Sequence, residues 1–244
     1  MVKILAVIPV KLNSKRLRKK NLRLLDGYPL FLWTYATAIA SKHIDKIIIS
    51  TESKKVLNIA KKFGYKDSYQ RPKKLIFNNT TNTDVVLDVI KYEKKKGYEY
   101  DFILLLQPTS PIRKKGSLDK FLKSYIRSKC NSAVSLKGPI NKKYNFLGKI
   151  INGNRYKFSD YSLKNKEFFQ PNGSIYISKI DEFMKFKKFF INPIFPIIND
   201  IYESIDIDYI KDLKIASMIL KNKIVKIEKP KKLNTQWIKK RKKF

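Results

Sequence analysis

The sequence predicts an α/β fold built on a doubly wound, mainly parallel sheet, and three observations carry that prediction. Strand-length apolar runs occur at Leu5-Ala6-Val7-Ile8, at residues 44–51 and at residues 102–106. These runs are nearly continuous instead of alternating, as in parallel strands covered on both faces. Between them lie stretches with apolar residues at helical spacing, so strand and helix alternate as far as residue 136.

The first strand ends at Pro9 and opens into a polar loop carrying Lys11, Lys15, Arg16, Arg18, Lys19 and Lys20, with no acidic residue among them. Asn13 and Ser14 suit a turn there. Ligands of open α/β sheets bind beyond the carboxyl ends of strands. The loop therefore predicts an anionic ligand, a nucleoside triphosphate above all; a solvated lysine-rich surface loop is the competing reading. Residues 29–41 form a helix, with Pro29 early and Leu30, Trp33, Ala36, Ile39 and Ala40 on one side. Residues 44–51 make the second strand, and residues 53–63 a helix stopped by Gly64. A polar segment follows to Arg71-Pro72, where proline bars a helix. Residues 78–83 form a loop, and Asp84 opens a third helix to about residue 96. The strand at 102–106 stops at Gln107-Pro108; a helix at 117–128 and a strand at 132–136 come next.

The rhythm then breaks. Residues 137–169 are rich in Asn, Lys, Gly and aromatics, with Asn152-Gly153 marking a hairpin turn, and predict an excursion from the main sheet. Strands at 173–178 and 195–198 and a helix at 209–220 complete a domain spanning 1–228; the polybasic tail, 229–244, is expected to fray.

Composition narrows the function. The 244 residues carry a formal net charge of +34, with 54 Lys and Arg against 20 Asp and Glu. Such a charge points first to nucleic acid or an anionic membrane. The lysines, however, are scattered along predicted helices, and Ile, Asn, Tyr and Phe are abundant too, so the charge reads as solubility and compositional drift. Nucleic acid is not the expected partner; a basic nucleic-acid-binding protein that has kept this fold is the rival from another class. The single Cys130 and single His43 exclude an internal disulfide and a Cys- or His-cluster metal site. There is no signal peptide and no apolar run long enough to span a bilayer, so the expected location is cytoplasmic.

Neither a G-x-x-x-x-G-K-[ST] nor a G-x-G-x-x-G motif occurs, which leaves phosphate binding to lysines and loop amides. Glu203-Ser204-Ile205-Asp206-Ile207-Asp208 puts two carboxylates two residues apart in an apolar extended segment, hence on one side of a strand. Crowded carboxylates repel unless a cation or a proton sits between them, and oxygen-only ligation suits Mg²⁺ with substrate phosphates. The other reading makes Asp208 the N-cap of the following helix. Gln107-Pro108-Thr109-Ser110-Pro111-Ile112-Arg113 is a rigid turn presenting Gln107, Thr109 and Ser110 at the sheet edge, or else a plain strand-to-helix connection. Pro171-Asn172-Gly173 is a turn before a strand, or a surface hairpin. Phe189-Phe190 floors a sugar pocket or belongs to the core.

Taken in order, these motifs resemble the acylneuraminate cytidylyltransferase (CMP-sialic acid synthetase) family from about Ile4 to Leu220. The carriers are Asn13-Ser14-Lys15 with Lys20-Asn21, Ile48-Ile49-Ser50-Thr51, Arg71-Pro72, Q-P-T-S-P-I-R, P-N-G-S-I-Y-I, Phe189-Phe190 and S-I-D-I-D. The wider family also handles legionaminic, pseudaminic and Kdo sugars; the N-S-K loop and paired phenylalanines are more similar to the sialic acid branch. The resemblance implies a Rossmann-like nucleotidyltransferase fold, Mg²⁺ dependence, and a homodimer whose excursion reaches the partner's site. It implies CTP phosphates held by Lys11, Asn13, Ser14, Lys15, Lys20 and Asn21 with Arg71, and a nucleotide contact from Thr83. It also implies a sugar site of Gln107, Thr109, Asn172, Tyr176, Phe189 and Phe190, and metal on Asp206 and Asp208. Lys20, Asp206 and Asp208 are the catalytic expectation. Lys11 and Gln170 stand where the family commonly has Arg, and the arginine expected to meet the sugar carboxylate is missing; Lys143, Lys164 and Lys166 are its candidate substitutes. The cationic loop and D-I-D are expected to face each other across one crevice.

Overall fold

The computed structural model describes residues 2–14, 16–65, 67–77, 79–140, 148–151, 155–158 and 168–233. Lys15, Lys143, Lys164, Lys166 and much of residues 137–169 lie outside the described residues; the described strands of that segment, Gly148–Ile151 and Arg155–Phe158, extend the main sheet instead of leaving it.

The first half alternates as expected: β1 (Ile4–Pro9), a small hairpin β2 (Leu24–Leu25) and β3 (Tyr28–Pro29), α1 (Leu30–Ala40), β4 (Lys46–Thr51), α2 (Lys54–Lys62), β5 (Ser68–Gln70), α3 (Asn82–Lys95) and β6 (Phe102–Leu106). Then come α4 (Ser117–Arg127), β7 (Ser132–Ile140), β8 (Gly148–Ile151), β9 (Arg155–Phe158), β10 (Phe168–Lys179), α5 (Ile180–Phe186), β11 (Ile194–Asn199) and α6 (Ile210–Lys221). Among the described residues the main sheet has nine strands, in the order β5-β4-β1-β6-β10-β7-β11-β9-β8. β5, β4, β1 and β6 are mutually parallel. β10 then enters antiparallel between β6 and β7, so the sheet is mixed beyond β6.

β1 explains why the wrap is double. Ile4, Ala6 and Ile8 pack into a core with Phe31, Leu32 and Tyr35 of α1, Val56 of α2 and Phe121 of α4. The alternate residues, Leu5 and Val7, pack on the other face with Val86 and Val89 of α3 and Phe183 of α5. A strand buried on both faces needs an apolar residue at every position, which is the continuous run seen in the sequence.

Several boundaries differ from expectation. α3 starts at Asn82, because Thr81 accepts the Asp84 amide while Asp84 accepts that of Thr81, a capping box. Asp84 therefore closes the cap, and Thr83 lies in the first helical turn. P-N-G is a bulge within β10 and not the turn before a strand: the strand already begins at Phe168, and its register against β7 shifts between Pro171 and Tyr176. The tail does not fray at once: Lys229 pairs with Asp26 at 3.0 Å, Tyr65 Oη donates to Lys231 O, and Leu233 N donates to Phe63 O. Among the described residues, no helix is long and apolar enough to cross a membrane.

Candidate active site

The carboxyl ends of β1, β4 and β6 form one edge of the sheet. Because β10 is antiparallel, its early residues come to the same edge, with Ile175 opposite Leu106. Four segments meet there.

After β1, a 3-10 turn at Lys20–Leu22, entered through Lys19 at φ 54°, turns Lys20 inward. Asn21 is buried, and its Nδ2 donates to Lys11 O at 2.8 Å, so it braces the loop from beneath. Lys11 Nζ donates to Phe77 O at 3.3 Å; Asn13 is exposed and Ser14 half-buried.

The segment carrying Asp206 and Asp208 joins no sheet. The expected alternation survives without a strand. Ile207 is fully buried in an apolar cluster with Leu17, Trp33 and Leu213, which turns Asp206 and Asp208 the other way. Ile207 N also donates to Thr109 O at 2.7 Å, fastening the segment to the loop after β6. Asp208 is not the N-cap of α6. Its amide and that of Tyr209 both donate to Asp212 Oδ2, at 2.9 and 2.7 Å, leaving its side chain to face the cationic loop. There Lys20 Nζ lies 2.9 Å from Asp208 Oδ1, and Arg16 Nη1 lies 2.5 Å from Oδ2. The loop after β1 and D-I-D thus meet directly, through the two contacts of Asp208.

Solvent reaches Asp206, but protein crowds its other sides, and that desolvation raises its carboxyl above the ordinary range. Asp208 pushes the same way, while a hydrogen bond from Thr109 and the charges of Lys20 and Arg16 oppose it. Tyr176 stands near enough that burial, helped by Asp206, pushes its hydroxyl up to about 12.

On the β10 side, Ser135 Oγ donates to Asn172 Oδ1 at 2.6 Å and accepts from Ile175 N at 2.8 Å, which holds the bulge. Asn172 Nδ2 donates to Ser204 Oγ at 3.4 Å, linking the bulge to the acidic segment. Gly173, at φ 84°, lets the backbone pass beside the Gln107 side chain; a Cβ there would stand 3.8 Å from Gln107 Nε2. Phe189 belongs to the core beside Phe183, with ring centroids 4.6 Å apart. Phe190 is half-buried and meets Tyr176 edge-on at 5.8 Å.

Arg71 is turned inward. It is only 5% exposed, donates to Ser50 O at 2.9 Å and faces Glu52 at 3.8 Å. Burial lowers its pKa and Glu52 works against that. Glu52 Oε1 in turn accepts Leu12 N at 2.6 Å, so Arg71 acts on the loop after β1 through Glu52. Thr83 is half-buried in the first turn of α3.

Three residues escaped the sequence-based site list. Arg16 was one lysine-rich loop residue among many. Glu52 is an acid at the carboxyl end of a strand beside an otherwise cationic loop, a legible but unused signal. Arg113, fully buried, donates to Thr34 Oγ1, Gln107 O and Ser174 O at 3.0, 3.0 and 2.8 Å, and so shapes the loop that presents Gln107 and Thr109.

Asp206 and Asp208 suit a hard cation that keeps water and phosphate oxygens in its shell: both donors are carboxylates, and the crowding of Asp206 favours an added positive charge. Among the described residues, no group of three or more His, Cys, Asp or Glu could hold a metal by itself.

This edge of a doubly wound sheet, with cations set against paired carboxylates, is a nucleotidyltransferase arrangement, and the chain belongs to the cytidylyltransferase family, whose pattern it matches over residues 5–240. It is 34% identical over 214 residues to CMP-N,N'-diacetyllegionaminic acid synthase of Legionella pneumophila, covering 85% of this chain and 91% of that one. It is 30% identical over 226 residues to N-acylneuraminate cytidylyltransferase of Escherichia coli, covering 91% of this chain and 53% of that longer protein. Among solved structures, CMP:2-keto-3-deoxy-manno-octonic acid synthetase complexed with CTP superposes with a TM-score of 0.69 at 15% identity, covering 91% of this chain and 99% of that one. 4-Diphosphocytidyl-2C-methyl-D-erythritol synthase superposes with a TM-score of 0.64 at 12% identity, covering 90% and 100%. These two likenesses speak for the fold.

Proposed function

We propose that this chain transfers the cytidylyl group of CTP to the anomeric hydroxyl of a nonulosonic acid and releases pyrophosphate. The observation that carries the reading is the meeting of Lys20 and Arg16 with Asp208, on a segment that Ile207 fastens to the Thr109 loop. Family membership and the names of the relatives support the substrate class.

In this reading Lys20, with Lys11, Asn13, Ser14 and Lys15 on the loop that Asn21 braces, holds the triphosphate and stabilises charge on the departing pyrophosphate. Gln107, Thr109, Asn172 and Tyr176 orient the sugar against the α-phosphorus. Asp206, whose carboxyl is raised, accepts the proton of the anomeric hydroxyl on a carboxylate oxygen. Asp206 and Asp208 would hold Mg²⁺, which when bound neutralises phosphate charge and lowers the hydroxyl's pKa. No covalent intermediate is required, so placement and electrostatics supply most of the acceleration. A homodimer, with residues 137–169 reaching the partner's site, is part of the proposal.

The N-S-K loop and the paired phenylalanines favour an N-acylneuraminate acceptor, while the 34% identity to the Legionella enzyme favours a legionaminic acid. Pyrophosphate release from CTP across a panel of nonulosonic acids decides. Release with one sugar and none without it is expected; no release with any sugar would sink the proposal. A steep, salt-dependent affinity for duplex DNA in place of turnover would support the nucleic-acid reading.

A further inference from the structure

Both carboxylate oxygens of Asp208 are occupied, and their two partners differ in kind. The Lys20 side chain is 10% exposed and that of Arg16 is 57% exposed. Lys20 is held by its turn, where its amide donates to Leu17 O and its carbonyl accepts from Arg23, both at 3.0 Å. Asp208 is held from the other side by the bond from its amide to Asp212. Arg16 makes no other hydrogen bond or ion pair among the described residues.

We propose that Arg16 is an exchangeable counterion: it occupies Asp208 Oδ2 before substrates arrive, yields that oxygen to the divalent cation, and turns its guanidinium to the nucleotide phosphates. The inference rests on the reading of Asp206 and Asp208 as the metal-holding pair. Two cations within 3 Å of Asp208 repel an incoming divalent cation, so the departure of one of them favours metal binding. Exposed ion pairs contribute little and are screened by salt, which makes Arg16 the one to go and the buried Lys20 the one to stay. A guanidinium does not shed its proton near neutral pH. Release is therefore a movement and not a titration, and the positive charge remains in the crevice. Its planar fork matches phosphate oxygens two at a time, and the loop after β1 is where those oxygens enter.

The test uses the full chain with Mn²⁺ as probe and neither nucleotide nor sugar present, reading free Mn²⁺ by electron paramagnetic resonance. Arg16→Gln keeps the side-chain length and removes the charge. It should bind Mn²⁺ severalfold more tightly than the parent, while its KM for CTP rises severalfold with a smaller change in kcat. Opposed movement of the two affinities is the signature of exchange. Unchanged Mn²⁺ affinity, or Mn²⁺ and CTP weakening together as a loosened loop would give, overturns the proposal. Asp208→Asn separates the two failures. If it weakens Mn²⁺ binding while Arg16→Gln does not tighten it, only the exchange falls. If Asp208→Asn binds Mn²⁺ as the parent does, the metal reading of Asp208 falls and the exchange with it.

Discussion

Ile207 N donates to Thr109 O at 2.7 Å, a backbone bond between the acidic segment before α6 and the loop after β6. Its consequence is that the two carboxylates are aimed by an apolar anchor: Ile207 is buried, so Asp206 and Asp208 turn away from it, and Asp208 meets the cationic loop.

Replacing Ile207 by Ala should cost about 2–5 kcal/mol of stability, the usual range for emptying such a core site. Activity at a temperature well below unfolding should also fall, because the neighbouring carboxylates lose their bearing. Urea unfolding alongside pyrophosphate release checks both; full activity in the folded fraction would show that the anchor does not aim the site.

Asp208→Ala should lower CMP-sugar formation by at least about 100-fold, the scale of losing one aimed electrostatic group, with the circular dichroism spectrum intact. Retained turnover with Mg²⁺ would remove Asp208 from the mechanism.

Lys20→Ala should raise the KM for CTP far more than that for the sugar, since Lys20 sits on the loop assigned to phosphate. Initial rates with each substrate varied in turn report the split. Equal losses for both would argue that Lys20 merely holds Asp208.

Arg113→Ala should destabilise the protein by about 3 kcal/mol or more, because buried Thr34, Gln107 and Ser174 oxygens lose a donor together, at about 1–3 kcal/mol for each such group. Arg113→Lys should recover only part of this, as an ammonium lacks the fork. Denaturant midpoints of the two variants measure the difference.

Stability should fall in alkali. Burial raises the hydroxyls of Tyr65, Tyr125, Tyr156 and Tyr176 above the ordinary value of 10.0, to about 12 for Tyr176. A folded-state pKa above the unfolded one means that the folded chain keeps protons the unfolded chain releases. The contribution is therefore full below pH 10 and lost as pH rises through the folded values. Phenolate absorbance should climb together with the loss of circular dichroism; a gradual climb in a still-folded protein would contradict the assignment.

How far the sequence disclosed all this depends on the kind of signal. β6 was legible to the residue because a pure apolar run lies between Asp101 and Gln107-Pro108. The meeting of the cationic loop with D-I-D was expected from the family resemblance, since each motif read alone left a bland alternative open. β5 was not legible, being three largely polar residues paired on one side only. The bulge at Asn172-Gly173 was read as a turn because the same dipeptide serves both, and only the partner strand separates them. Arg71 shows the limit of reading charge: a lone arginine beside proline gives no sign that Ser50 and Glu52 will turn it inward.

The late arrival of β10 has a bearing on biosynthesis. While the ribosome is still making residues beyond β7, β6 waits with one rim bare, and both neighbours of β7 have yet to emerge. Exposed strand rims invite pairing between chains. Nascent or prematurely ended polypeptides stopping short of Phe168 should therefore be the sticky species in a cell, since β10 is what covers the rims of β6 and β7.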